Sequence, residues 1–511
     1  MADRDYSRRQ FLGYAGVGAL STFSGLSFAQ HGTVVRAASS DFEPDIEIDL
    51  TAKSARVPIH DGPKTLVWKF HANLLKGPEG SVKEIPGSYL GPVFNFKKGQ
   101  KVRIYFNNQI PQQCIVHWHG LHVPQVMDGH PMYAIDSGNR YVYEFEVVNR
   151  AGMYWYHSHT HELTAKQVYS GLAGLIIVND DEEAKLGLPS GDKDLPIVIQ
   201  DRSFTAENKL SYTSHMREHM MGFLGEEILV NGKPDFQLPV SQSAYRLRFL
   251  NGSNSRIYKL GWDDGSPFTV IGTDGGLLES AVTRRYITLA PAERVEIWVD
   301  FRDKKIGSIQ TLKSLPFQGM RHMSAENALP EGGEFSIMSV KVATAEEGGD
   351  SSQLPETLSK IDRLDLSNVA NPEIPLSIAL RMRRMNWWLN GEDFEMLEAT
   401  PSERVSVNSH QVIQFDNGFQ TRGGMRLPHP MHMHGQQFQI IKREIRRNYQ
   451  GTYDSLSEGF VDNGWKDTVL VMPGERVTMI KPFEDYKGLF LYHCHNLEHE
   501  DMGMMRNFNV V

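Results

Sequence analysis

Five His-x-His pairs mark the chain: His117/His119, His157/His159, His159/His161, His432/His434 and His493/His495. Placing 20 histidines at random in 511 residues would give roughly one such pair. In a strand, residues i and i+2 share a face, so each pair presents two imidazoles to the same side, as a metal ion requires. Four of the pairs sit in what read as two copies of one unit. Gly152-Met153-Tyr154-Trp155-Tyr156-His157-Ser158-His159 matches Gly488-Leu489-Phe490-Leu491-Tyr492-His493-Cys494-His495, and His117-Trp118-His119-Gly120 matches His432-Met433-His434-Gly435. Eight imidazoles from two such units can converge only if the first and last parts of the chain pack together. A histidine cluster at a domain interface is the simplest geometry.

The same alternation turns Cys494 away from His493 and His495, so it must serve a second site. Its candidate companions are His499, five residues on, Met504, ten residues on, and His429, just before the His432/His434 pair. Two imidazoles, a thiolate and a weak thioether form the ligand set of a blue-copper site. Zinc is the main rival, but structural zinc more often takes several cysteines, and catalytic zinc would leave eight further histidines unexplained. The other cysteine, Cys114, lies in the apolar run Cys114-Ile115-Val116 and reads as a small buried hydrophobe.

The elements expected to carry these residues are short strands. From about residue 42, alternating apolar runs such as Lys101-Val102-Arg103-Ile104-Tyr105-Phe106 and Tyr245-Arg246-Leu247-Arg248-Phe249-Leu250 are separated by Gly, Pro, Asn and Asp. The spacing predicts an all-β chain of sandwiches or barrels, with few helices. Three domains are expected: 42–182, 190–343, which carries no histidine pair, and 372–511, with a polar linker at 344–371. With 40% hydrophobic residues the chain can bury real cores, and a net charge of -9 gives no reason to expect nucleic acid as a partner. The N-terminal residues 1–29 read as a targeting segment. Ser7-Arg8-Arg9-Gln10-Phe11-Leu12 resembles a twin-arginine export signal, followed by a short apolar run and the small-residue exit Ser27-Phe28-Ala29. A mature protein outside the cytoplasm, in periplasm or medium and without membrane insertion, is expected, as a monomer.

His117-Trp118-His119-Gly120, His157-Ser158-His159, His429-Pro430-Met431-His432-Met433-His434-Gly435 and the run from His493-Cys494-His495 through His499 to Met504 resemble the four copper motifs of the multicopper oxidases. The resemblance implies three cupredoxin-like Greek-key domains and four copper ions. It assigns type 1 copper to His429, Cys494, His499 and Met504, and type 2 copper to His117 and His432. The type 3 pair falls to His119, His157, His159, His434, His493 and His495. It further implies that a small-molecule or metal-ion reductant gives up single electrons at the type 1 site, while dioxygen is reduced to water at the three-copper cluster. Asp128 and Glu500 stand where bacterial members carry proton-relay carboxylates.

The expected activity is laccase-like oxidation of phenols and aromatic amines, which calls for an exposed type 1 histidine. Oxidation of Cu(I), Fe(II) or Mn(II), or of bilirubin, is the alternative. The positive features of the metal-ion reading are the cluster of Met216, Met220 and Met221 with His215 and His219, and the pair Met320 and Met323. Copper-tolerance members usually have a long Met-rich insertion and an Asp four residues before the type 1 histidine, where this chain has Met425. Copper-free relatives that act in cell division lack the ligands, and all twelve are here. His161 is expected beside the cluster or in solvent, Trp118 and Trp155 packed against it, and Asp467 in a structural hydrogen bond.

Overall fold

A computed structural model describes residues 34–511 except 214, 319–326, 347–349, 351, 384 and 421–425. The expected export segment lies outside the described residues, as do Met320, Met323 and Met425. Among the described residues strands dominate. The four α-helices are short: α1 (Thr164–Tyr169), α2 (Met216–Met221), α3 (Gln450–Ser457) and α4 (Leu497–Asp501). Among the described residues no helix is long and apolar enough to cross a membrane.

The strands form six sheets in three successive pairs, drawn from the first, middle and last parts of the chain. Neighbours in a sheet are often distant in sequence, as Greek-key winding requires. Ile46–Val57, for example, lies parallel to Lys101–Asn108. The reason is visible in the residues: Ile46, Ile48, Leu50 and Ala52 are fully buried and alternate with half-exposed neighbours, giving one wet and one dry face. The strands carrying the histidine pairs differ. Val116–His119, Gly152–Ser158 and His429–Met433 are buried on both faces. One face joins its own sandwich core, and the other faces the cluster.

The two copies pair in the same register. His117 lies opposite His157 in the first unit, and His432 lies opposite His493 in the last. Strand alternation also corrects one expectation. Trp155 shares the face of His157, with ring centroids 4.2 Å apart, whereas Trp118 points into the first sandwich core against Tyr143 and Tyr156. Cys114 is in that same core, 3.7 Å from the Ser158 hydroxyl, and burial pushes its thiol up to about 12. Both cysteines are free.

Two sets of contacts hold the outer units together. The Asp501 carboxylate on α4 accepts from the backbone N–H groups of Thr164 and Ala165 at 3.0 and 2.9 Å, capping α1. From the middle unit, Arg294 reaches Met153 of the first unit through its carbonyl and Asp467 of the last through its carboxylate, at 3.1 and 2.6 Å. Lys466 adds ion pairs to Asp274 and Glu293 at 3.1 and 3.0 Å. The Arg294, Asp274 and Asp467 side chains are all fully buried. Breaking a buried pair leaves an uncompensated charge, which costs about 3–5 kcal/mol. Arg294→Met should therefore lower the stability of the copper-free protein by about that amount in chemical denaturation; a loss below about 1 kcal/mol would show that this network does not hold the units together.

Candidate metal centre

Eight imidazoles from the two outer units meet where the expected cluster should lie. His117, His119, His157, His159, His432, His434, His493 and His495 are each exposed by 1% or less. Their hydrogen bonds fix which ring nitrogen is free. His117 Nδ1 donates to the Asp128 carbonyl at 2.6 Å, and His432 Nδ1 donates to the Asp467 carbonyl at 2.8 Å. Each therefore carries its lone pair on Nε2, and both Nε2 atoms are buried with no hydrogen-bond partner.

The remaining six rings fall into two triplets. His434 Nδ1 donates to the Asp128 carboxylate at 2.6 Å and His493 Nδ1 to the Cys494 carbonyl at 3.1 Å. Their Nε2 atoms are 3.1 Å apart, with His159 Nε2 3.2 Å from that of His493. In the second triplet His119 Nε2 faces Asp467 at 3.1 Å, which turns its Nδ1 towards His157 Nε2 at 3.4 Å. His495 stands beside them, with ring centroids 5.1 and 5.3 Å away and neither nitrogen bonded. Lone pairs aimed at one another repel unless a cation lies between them. The donor set therefore fits metal ions, with the carbonyls and carboxylates fixing each ring's tautomer.

Beyond the cluster, Cys494 turns to the opposite face as expected. Its Sγ is 3.5 Å from His429 Nδ1 and 3.7 Å from His499 Nδ1, and these nitrogens are 3.3 Å apart. Met504 is fully buried in the same apolar cluster, and its carbonyl accepts from the Cys494 N–H at 3.0 Å. Two imidazoles and a sulfur, with the Met504 side chain buried in the same core, suit copper better than zinc. Burial pushes the Cys494 thiol well above its ordinary value, so ionising it in this pocket requires a compensating cation.

Of the two carboxylates singled out, Asp128 bonds His434, and burial raises its pKa above the usual carboxylate range. Glu500 lies on the other side, 3.0 Å from His493 Nδ1 and 3.7 Å from His159 Nδ1. Asp467 has its structural role and additionally holds His119. His161 is half-buried and packs at a tilt against Phe394, with ring centroids 5.1 Å apart.

The expected exposed histidine edge is absent. His429 is 1% exposed and His499 0%. Trp387 covers both, with centroid distances of 4.8 and 4.3 Å, and its indole N–H donates to the Met220 carbonyl of α2 at 2.8 Å. Met221 completes the apolar cover. No pattern in a single sequence announces this lid, because α2 belongs to the middle unit and Trp387 reads as an ordinary strand residue.

Two family models described as multicopper oxidase match residues 67–183 and 369–511. The multicopper oxidase mco of Staphylococcus aureus is 31% identical over 83% of both chains. A laccase of Bacillus subtilis (strain 168) is 29% identical, covering 90% of this chain and 94% of its own. The crystal structure of McoA multicopper oxidase from Aquifex aeolicus superposes with a TM-score of 0.76 at 33% identity, over 92% of this chain and 97% of the other. The chain belongs to the multicopper oxidase family and has its cupredoxin-like all-β fold. It is a copper-dependent oxidoreductase that takes electrons from a reductant and passes them to dioxygen.

Burial, followed in most of these rings by repulsion from neighbouring charges, holds down the pKa values of His117, His119, His157, His159, His432, His434 and His495, with His157 at about 4, and burial lowers His429 in the cysteine pocket to about 3. The unfolded chain, with histidines near 6.5, binds more protons than the native one below that pH, so native stability falls as pH drops. The copper-free protein should lose thermal stability steadily between about pH 6.5 and 4, and copper loading should suppress the loss by occupying the same nitrogens. A copper-free protein with a flat profile over this range would contradict the buried, neutral cluster.

Proposed function

We propose that the chain is a laccase-like oxidase with four copper ions, oxidising phenolic or aromatic reductants one electron at a time and reducing dioxygen to water. His429, Cys494, His499 and Met504 would hold the type 1 copper, and His117 and His432 the type 2. The type 3 pair would lie between His119, His157 and His495 on one side and His159, His434 and His493 on the other. The observation that carries this reading is the meeting of unopposed lone pairs in two pockets that share the segment 493–495. The three domains at 42–182, 190–343 and 372–511 belong to the proposal, as do export through the 1–29 segment and a monomeric mature form.

Copper in these pockets supplies one-electron redox chemistry and the four-electron reduction of dioxygen. The chain's own groups do the rest. The Cys494 backbone bonds the sulfur pocket directly to both His493 and His495, giving electrons a short covalent route. Asp128, its pKa raised by burial, accepts from His434 through one oxygen and keeps Oδ1 free to take a proton, and Glu500 stands beside His493 and His159.

Trp387 and α2 set the terms for the reductant. With both histidines covered, an electron must cross the indole that packs on them. Organic reductants need no inner ligand contact, and outside the histidine cluster and the cysteine pocket no further group of three His, Cys, Asp or Glu is poised for a metal ion among the described residues. A metal-ion reductant is the second reading, favoured by Met216, 65% exposed on the same helix as Met220 and Met221. Soft thioethers there could receive Cu(I). Oxygen uptake with a dimethoxyphenol, compared with Cu(I) and Fe(II), decides the order. A preference of more than about tenfold in kcat/KM for the phenol, roughly 1.4 kcal/mol, is expected. The reverse preference would establish the metal-ion reading.

A further inference from the structure

Glu498 precedes His499 on α4, and its side chain is fully buried. Its carboxylate accepts hydrogen bonds from three groups of the middle unit. Tyr212 Oη and Asn254 Nδ2 donate to Oε1, each at 2.7 Å, and the Phe223 backbone N–H donates to Oε2 at 3.1 Å. With donors on both oxygens the group serves as an acceptor throughout, as a carboxylate does. Tyr212 and Phe223 lie on either side of α2, the helix whose Met220 carbonyl holds Trp387 over His429 and His499. One side chain of the ligand-bearing loop therefore holds both ends of the lid.

The surroundings fix that attachment point. The Tyr212 and Phe223 rings are 5.4 Å apart, and both pack on Tyr169 of the first unit, at 4.7 and 4.8 Å. The Tyr169 hydroxyl in turn donates to the Ser211 carbonyl at 2.6 Å. The chain leaves α2 through Gly222 at a φ of 102°, where a Cβ would stand 2.5 Å from Asn496 Nδ2 and 2.6 Å from the Ser255 side chain. The lid thus seats on the residue that caps α4, with no room for a side chain between them. Its outer turn is in solvent, where Met216 is 65% exposed. Releasing one carboxylate frees both ends of this segment at once.

We propose that Glu498 is a positioning residue that clamps α2 and Trp387 over the cysteine pocket and thereby selects the reductant by reach. While the clamp is made, a reductant must give its electron across the indole. When it is broken, an aromatic reductant reaches the His429 and His499 edges directly. Glu498 acts through the lid and not on the reductant. The identity of that reductant rests on the laccase-like reading, whereas the clamp itself does not.

The test reads the cover through the Cys494 thiol, using copper-free full chain in a Cys114→Ala background and dithiodipyridine as the probe. Tyr212→Phe removes one donor from the clamp, and Glu498→Gln leaves an acceptor for only one end of the segment. Each should speed labelling at least about fivefold, with little dependence on low urea, as local opening requires. In a Glu498→Ala background Tyr212→Phe should add less than about twofold, because both changes break one contact. In the copper-loaded protein, anaerobic bleaching of the blue band by a dimethoxyphenol should quicken at least about threefold in Tyr212→Phe, with the band itself unshifted. Labelling unchanged in the folded variants, an acceleration that climbs steeply with urea as global unfolding does, or effects that add independently would each overturn the clamp. If the Glu498 variants fail to fold, Tyr212→Phe decides alone, since it deletes only a hydroxyl outside the cysteine pocket. A wild type that prefers Cu(I) or Fe(II) to the phenol overturns the laccase-like reading and leaves the clamp standing.

Discussion

A strand's side chains alternate faces every residue, and this two-residue period governs the whole molecule. At the end of the strand Gly488–Cys494 it sends His493 into a cluster of eight imidazoles and Cys494 into a separate pocket with His429 and His499. No flexible linker separates the two destinations. The same period aims His117 and His119 inward and Trp118 outward, and it sets His432 across from His493 just as His117 lies across from His157. Two copies of one antiparallel strand pair suffice to gather the ligands.

Gathering them is unfavourable by itself. Each buried imidazole and the buried thiol give up water, and several ring nitrogens end with no hydrogen-bond partner at all. The fold must hold these groups in place against that cost until copper offsets it. This explains why a middle unit without metal ligands is present: Arg294, buried among carboxylates from its own and the last unit, fixes Asp467, and Asp467 fixes His119 and His432. The middle unit also contributes α2, which together with Trp387 seals the cysteine pocket from solvent. A dry pocket strengthens every electrostatic interaction within it.

The ligand geometry was legible because it is local. Spacing by two residues on strands says which side chains share a face, and the duplicated motifs say which segments come together. The all-β architecture followed from the same period in runs such as Lys101–Asn108. What stayed hidden depends on contacts between units. The burial of His499 under Trp387 and a helix more than 160 residues away in the chain leaves no local trace. The turning of Trp118 into the first core is a different case: strict alternation implied it, and proximity to two ligands obscured it.

The most direct test of the shared segment is the spectrum and metal content of copper-loaded Cys494→Ser. If adjacent residues serve separate sites, the protein loses its intense blue band and one copper while the histidine cluster keeps its own copper and the fold is intact. A Cys494→Ser protein that remains blue, or that loses copper from the cluster as well while still folded, would contradict the account.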